Sequence, residues 1–364
     1  MNTGLLGGLT FVLVFAGMIL VHEIGHFVAA RLLRIEVDEF GIGFPPRMLT
    51  LFTWRGVRFS LNWIPFGGFV RLRGEDDPAV PNGIAAAPPW KRILVLLAGS
   101  TMNLLTGVLA YSLLFNQIGL PDQVVLEEIV ADSPAAMAGF QAGDIVLEMD
   151  GQRVGFYTEL INYTHENAGQ EINLTILRDG EELTLSVVPR LNPPEGQGPM
   201  GVVVVNTIRP VDTWFETFPY SFNATYQTSR ELLALPGRII AGIIQPEDAR
   251  LLGPRSIYNV FQQAVSRDIE SRQPEENGEA EAPTNYTLSL IISMTLSVGI
   301  INLLPIPALD GGRIFLALVE FAFRRRLPPQ FEAIVHGAGF FLLVGLMFYF
   351  YILDFVNPVN ITLP

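Results

Sequence analysis

Four runs of almost unbroken apolar residues punctuate the chain, at about Gly4 to Leu33, Ile93 to Phe115, Leu288 to Leu309 and Ile334 to Leu353. Each is long enough for a helix to cross a hydrocarbon core about 30 Å thick, so the pattern predicts four transmembrane helices. Between the second and third runs the pattern shortens to strand-like pieces, Val124 to Val130, Ile145 to Met149, Glu171 to Leu177, Glu182 to Val188 and Val202 to Val205. Turn dipeptides at Asp150-Gly151 and Asp179-Gly180, with a helical stretch near Tyr157 to Glu166, make this a compact α+β domain. From Pro210 onward, Trp214, Phe215, Phe218, Tyr220, Phe222 and Tyr226 alternate with polar residues, followed by an apolar stretch to Ile244. An amphipathic helix lying in a membrane interface has that composition, as does a packed soluble one. Gln273 to Pro283 is acidic and rich in Pro, Ala and Gly, and is expected to be a mobile loop. On the other side of the second run, aromatic and β-branched residues flank Gly67-Gly68 and predict short strands around a turn. The edge of such a strand can pair with an extended peptide; equally, a small hairpin can cover the helix ends.

Composition agrees with a membrane protein: 49% of residues are hydrophobic, 16% charged, and the mean hydropathy is +0.37. The first run has no basic residue before it and carries polar residues where a cleavable signal peptide is inert, so it is expected to be retained. Cysteine is absent, which removes disulfides and thiolate ligands from consideration. A net charge of −13 argues against nucleic acid as a partner. Basic residues instead crowd two segments, Arg31, Arg34, Arg47, Arg55, Arg58, Arg71, Arg73, Lys91 and Arg92 after the first run, and Arg313, Arg324, Arg325 and Arg326 after the third. Four crossings put both segments on one side, which the positive-inside rule makes the cytoplasm. Both termini and the acidic middle are then extracytoplasmic.

Inside the first run stands His22-Glu23-Ile24-Gly25-His26. Residues four apart share a helix face, so the two imidazoles can converge on one metal ion with Glu23 beside them as general base. The alternative is a pair of hydrogen-bonded interior histidines, a costly arrangement in an apolar span. Measured from Gly4, His22 lies roughly 27 Å along a helix, within the membrane and towards the cytoplasmic side. In the third run, Pro305 and Pro307 break the helix and free backbone groups at membrane depth. Asn302 to Asp310 then reaches the depth of His22. Asp310 can serve as the third ligand of a catalytic zinc, or as a turn residue before Gly311-Gly312. In the second run, small residues from Ala98 to Thr101 allow close helix packing, and Asn103 needs a polar neighbour and is a candidate to line the site. His165 reads as an ordinary exposed histidine and His336, without a spaced companion, as structural or interfacial.

Together these motifs resemble the site-2 protease family of intramembrane zinc metalloproteases, in its bacterial form with a PDZ domain between the second and third of four spans. The resemblance rests on His22-Glu23-x-x-His26, on Gly99-Ser100-Thr101-Met102-Asn103, on Asn302-x-x-Pro305-x-Pro307-x-Leu309-Asp310-Gly311, and on Gly253-Pro254-Arg255-Ser256-Ile257. Ser133-Pro134-Ala135-Ala136-Met137-Ala138-Gly139-Phe140-Gln141-Ala142-Gly143-Asp144 is similar to a bacterial PDZ signature, which implies capture of a peptide or carboxyl terminus. The family implies one Zn²⁺ held by His22, His26 and Asp310, with Glu23 activating water. It further implies Asn302 on the substrate backbone or scissile carbonyl, and a membrane-reentrant β-element around Gly67, Gly68 and Phe69 that receives substrate as a strand. The implied substrates are single-span membrane proteins, such as anti-sigma factors or signal-peptide remnants, in regulated intramembrane proteolysis at a bacterial inner or plasma membrane. Some relatives that cut anti-sigma factors carry two PDZ domains, and this chain has room for one.

The expected architecture is therefore an α-helical polytopic membrane protein with four transmembrane helices, a small cytoplasmic membrane-associated β-element and an inserted extracytoplasmic α+β PDZ domain. Its divisions are residues 1–34, first span; 35–90, β segment; 91–116, second span; 117–209, PDZ domain; 210–287, amphipathic helices and acidic loop; 288–312, third span; 313–333, cytoplasmic loop; and 334–364, fourth span. Two other readings compete. A membrane metallopeptidase of another His-Glu-x-x-His class would complete its site with a downstream glutamate and give Asn302 to Asp310 no role. A PDZ-bearing scaffold without catalysis would be expected to lack Glu23 or Asp310, and both are present.

Overall fold

The computed structural model describes residues 3–75, 77–194, 196–242, 253–272 and 285–356. The acidic run Gln273 to Pro283 lies outside the described residues. The chain forms two units, one of Met1–Leu114 with Phe218–Pro364 and the other of Phe115–Thr217.

The first unit opens with α1 (Thr3–Leu32), which between Thr10 and Arg31 is apolar all round except for the His-Glu-x-x-His turn. Two long strands follow, β1 (Val37–Trp54) and β2 (Val57–Leu72). The chain changes direction at Gly43, at Arg55-Gly56 and at Gly67, each with a left-handed φ between 47° and 93°. Residues 39–42 pair on both sides, with 58–61 and with 68–71, so the order of segments is 47–54, 57–64, 37–42, 68–72. A turn at Gly67 separates two short strand segments, as the sequence suggested. Those two segments do not pair with each other, because 37–42 inserts between them. Segment 68–72 is thereby left as an edge. The sheet is fastened to α1 by rings: Phe27 of α1 meets Phe40 and Phe59 edge-on, with centroids 5.8 and 5.9 Å away. Ala30, Val37, Val57, Leu72 and Val95 complete that core. Fully burying one such aliphatic or aromatic side chain is worth about 1.5–3 kcal/mol. Next comes α2 (Pro89–Ile118). A Cβ on Gly25 would overlap the Ala98 carbonyl, so α1 and α2 meet backbone to backbone.

The second unit contains β3 (Leu120–Ile129), α3 (Pro134–Ala138), β4 (Ile145–Met149), β5 (Gln152–Arg153), α4 (Tyr157–Glu166), β6 (Ile172–Arg178), β7 (Glu181–Val187) and β8 (Val202–Arg209). They make an antiparallel sheet ordered β7-β6-β4-β3-β8, with β5 beside β4. The Ser133-to-Asp144 signature has a local physical reading. Ser133 Oγ caps α3 by accepting the Ala136 N–H at 3.1 Å, Phe140 enters the core, and Asp144 accepts two hydrogen bonds from Arg178 at 2.6 and 2.7 Å. His165 is exposed.

The remaining described residues of the first unit are mainly helical: α5 (Thr217–Ile240), α6 (Pro254–Glu270), α7 (Tyr286–Leu303), α8 (Asp310–Phe323) and α9 (Pro329–Val356). Two expectations need correction. Residues 313–333, expected as a loop, are helical to Phe323, because Gly312, Leu316 and Glu320 repeat every fourth residue and bury one face of α8. The last helix begins at Pro329 rather than near Ile334, with Pro at its first position where no N–H is needed. Two buried carboxylates cap helices. Asp354 of α9 accepts the Arg255 and Ser256 N–H groups, each at 3.0 Å, and the Ser256 hydroxyl, which explains the Gly253-to-Ile257 motif. Asp268 of α6 accepts the Tyr286 and Thr287 N–H groups at 2.8 and 3.0 Å. Among the described residues, four helices are long and apolar enough to cross a membrane: Leu6–Leu32, Pro89–Ile118, Tyr286–Leu303 and Gln330–Val356.

Candidate metal centre

Three elements of the first unit converge on one point. The four-residue spacing on α1 stacks His22 over His26, and their Nε2 atoms stand 3.1 Å apart. Asp310 Oδ2 lies 2.9 Å from His22 Nε2 and 3.1 Å from His26 Nε2. Both histidines are buried, and the Asp310 side chain is only 18% exposed. Among the described residues this is the group of three whose donor atoms, all within 4.8 Å of one another, can hold a metal ion. Two imidazoles and one carboxylate, with a fourth position open, is the donor set of a catalytic zinc.

The space around these donors also fits an ion. Gly99 of α2 faces them, and a Cβ there would stand 2.5 Å from His26 Nε2 and 2.7 Å from His22 Nε2. Only glycine leaves that volume free. The His26 Nδ1–H donates to the Val95 carbonyl at 2.8 Å, which leaves its Nε2 lone pair for a metal. Asn103 approaches His22 from behind, with its amide nitrogen 3.5 Å from Nδ1 and its buried Oδ1 without a hydrogen bond among the described residues. Turning the carboxamide by half a turn makes Oδ1 the acceptor of a His22 Nδ1–H, which leaves the His22 Nε2 lone pair for a metal. Val95, Gly99 and Asn103 are four residues apart, so a single face of α2 backs both histidines.

A cavity of about 460 Å³ opens beside the cluster, walled by His22, Glu23, His26, Asn302 and Asp310 and by Gly68, Phe69 and Val70 of the sheet edge. The Glu23 side chain is half-buried and faces this cavity beside Gly68, Phe69 and Val70. Asn302 stands in the last turn of α7, and Asp310 opens α8 after the irregular residues 304–309. Of the other residues expected to touch substrate, Gly68 and Phe69 wall the cavity, whereas Gly67 faces the Phe44 ring. Asn103 is fully buried behind His22 and is not on the cavity wall. That is a correction, and its reason is geometric: the Asn103 face of α2 points at α1. The Val95 carbonyl carried no signal, Gly99 entered only as a small packing residue of its motif, and His336 only as structural or interfacial. The four-residue stripe on α2, matching that of the histidines on α1, is the pattern that points to the first two.

The model of peptidase family M50 matches residues 10–346. The chain is 31% identical over 349 residues to the Clostridium perfringens protein named "Putative zinc metalloprotease CPE1693", covering 95% of this chain and 98% of that one. It is 27% identical over 368 residues to the metalloprotease MmpA of Caulobacter vibrioides, covering 92% of each. Among solved structures, the PDZ domain of an SdrC-like protein from Listeria innocua matches 23% of this chain and 93% of its own, with 25% identity and a TM-score of 0.21. With the family model and the curated relatives spanning nearly its whole length, this chain belongs to peptidase family M50, the site-2 protease family of zinc metalloproteases.

Proposed function

We propose that this membrane zinc metalloprotease hydrolyses peptide bonds in or near the transmembrane segments of single-span proteins, with the metal held by His22, His26 and Asp310 and with Glu23 as general base. The observation that carries the reading is the position of the donors: both histidines and Glu23 belong to a helix apolar enough to cross a membrane, beside a cavity bordered by a sheet edge. Zinc supplies Lewis-acid chemistry, making water nucleophilic near neutral pH and offsetting charge on the carbonyl oxygen. Glu23 accepts the proton of the attacking water and returns it to the departing amine. Asn302 holds the substrate backbone or the scissile carbonyl, and Asn103 orients His22 instead of touching substrate.

A transmembrane substrate arrives as a helix whose carbonyls are occupied by its own hydrogen bonds. Unwinding it in lipid is costly unless other groups take over. Segment 68–72 offers such groups as a strand edge along the cavity, and Gly68 leaves room next to Glu23, where a Cβ would lie 3.5 Å from Glu23 Cγ. The far half of the sheet exposes Phe44, Met48, Leu49, Leu51, Phe52 and Trp54, a surface that suits lipid. By the basic segments, the sheet and α8 face the cytoplasm, and the termini with residues 115–217 lie outside. In that outer unit, edge strand β8 runs beside α4, where Asn206 Oδ1 accepts the Tyr157 N–H at 2.9 Å. A PDZ-type peptide or carboxyl terminus would enter by adding to that edge. Anti-sigma factors and signal-peptide remnants are the substrate classes this architecture suits.

The test is cleavage of a fusion carrying one transmembrane segment by purified protein in detergent. Wild type should cut, a chelator should stop it and zinc restore it. Glu23→Gln should keep zinc and lose about 10²–10⁴-fold in rate. Turnover by Glu23→Gln at the wild-type rate would remove the proposed base.

A further inference from the structure

Asp310 does not belong to either long helix that carries or backs the histidines. It opens α8 after the irregular residues 304–309, so whatever fixes that segment fixes its carboxylate. Within the segment, Ala308 holds φ at 77°, a left-handed conformation that residues with a Cβ avoid. Such a conformation persists only where its surroundings over-determine it. Within the bend, the Ile306 and Leu309 N–H groups donate to the Leu304 and Ile306 carbonyls, and α9 adds two further contacts. The Ala308 N–H donates to His336 Nδ1 at 3.0 Å. Three residues further on the same helix, Gly339 lies so close that a Cβ on it would stand 2.6 Å from the Pro307 carbonyl oxygen. The fourth apolar helix thus grips both residues of the bend, Pro307 by contact and Ala308 by a hydrogen bond.

We propose that His336 is a positioning residue of the metal centre: its Nδ1 holds the Ala308 N–H and so sets where Asp310 Oδ2 meets the two histidines. This rests on the reading of Asp310 as a zinc ligand. Since Nδ1 accepts, the ring proton of the neutral imidazole is on Nε2. That nitrogen is buried, has no hydrogen bond among the described residues, and belongs to a ring bordering a cavity of about 190 Å³ with Arg92, Glu320 and Glu332 in its wall. The two nitrogens therefore have different duties, and they can be separated by substitution.

In His336→Asn the side-chain oxygen sits one bond beyond Cγ, where Nδ1 was. In His336→Gln the polar atoms reach outward to the place of Nε2, and His336→Leu has neither. The full chain in detergent is titrated with a zinc chelator, and thermal unfolding of each metal-free variant is recorded in parallel. His336→Leu and His336→Gln should hold zinc about ten- to a hundredfold more weakly, the usual cost of losing support around a metal ligand. His336→Asn should restore retention to within a few-fold of wild type. Equal retention by all three variants, or rescue by Gln and not by Asn, overturns the assignment. A general loss of folding shows in the metal-free unfolding temperature, and the Asn and Gln variants still decide because both keep a polar side chain. Asp310→Ala separates the two levels of argument. If it keeps zinc, the ligand reading fails and this proposal with it; if it loses zinc while His336→Leu keeps it, only the proposal fails.

Discussion

Gly99→Ala is a one-carbon change that should disable the metal centre. In an ordinary helix interior, replacing Gly by Ala stabilises by about 1 kcal/mol. Here the added Cβ would stand 2.5 Å from His26 Nε2 and 2.7 Å from His22 Nε2. Relief to a contact of 3.4 Å requires the His26 ring to retreat by about 0.9 Å and the His22 ring by about 0.7 Å. The His26 ring is held by its Nδ1–H on the Val95 carbonyl of the same helix, 2.8 Å away, and cannot retreat without giving up that bond. Metal–ligand distances tolerate only about 0.2 Å, so the displacement is several times what ligation allows. We expect overpacking to cost about 1–3 kcal/mol of stability and zinc affinity to fall by at least about a hundredfold. The assay is chelator competition on the purified full chain, with thermal unfolding alongside. Gly17→Ala in α1 is the control, because nothing lies within 4 Å of the Cβ it would add, and it should retain zinc as wild type does. Wild-type zinc affinity in Gly99→Ala would refute the placement of the ion against the two Nε2 atoms.

Other perturbations test the surroundings. Asn103→Leu removes the group behind His22 Nδ1 and should weaken zinc retention about ten- to a hundredfold while leaving the metal-free fold close to intact, as read by chelator titration. In the second unit, Arg178→Met strands the Asp144 carboxylate, whose side chain is 0% exposed; the expected loss is about 3 kcal/mol, measured as lost hydrogen-exchange protection across residues 115–217. Asp150, which accepts the Tyr163 hydroxyl at 2.5 Å and the Asn173 N–H at 2.9 Å, is held below the usual carboxylate range by those bonds. Because the folded value is the lower one, its contribution is complete above about pH 4 and fades as pH falls through the folded value. Protection of the amides at the Tyr163 end of α4, taken relative to the intrinsic exchange rate at each pH, should fall on acidification in wild type and change less in Asp150→Asn.

Much of the centre was legible because its geometry is written in spacing within single elements. His22 and His26 are one turn apart on any helix, and Pro305 and Pro307 had to break the third apolar run before Asp310. The five main strands and the α4 helix of the second unit followed from alternation and turn dipeptides. What escaped depends on how separate elements approach each other. Nothing local shows that Gly99 abuts two imidazoles, that Asn103 stands behind His22 and off the cavity wall, or that His336 reaches Ala308. The Gly67 turn was visible, but not the insertion of residues 37–42 between the strands it joins, since that pairing spans distant residues. Residues 313–323 looked like a loop because arginines bracket them; their buried four-residue repeat, which makes them α8, is weak against that charge.

The most direct test of the central claim is the position of the cut. The full chain and a single-span fusion protein are reconstituted together in a lipid bilayer, and the products are sequenced by mass spectrometry. The account predicts scission in or next to the apolar segment, abolished by Glu23→Gln and by chelation, and restored by zinc. Cutting confined to the soluble tails far from the bilayer, or continuing unchanged without the metal, would contradict it.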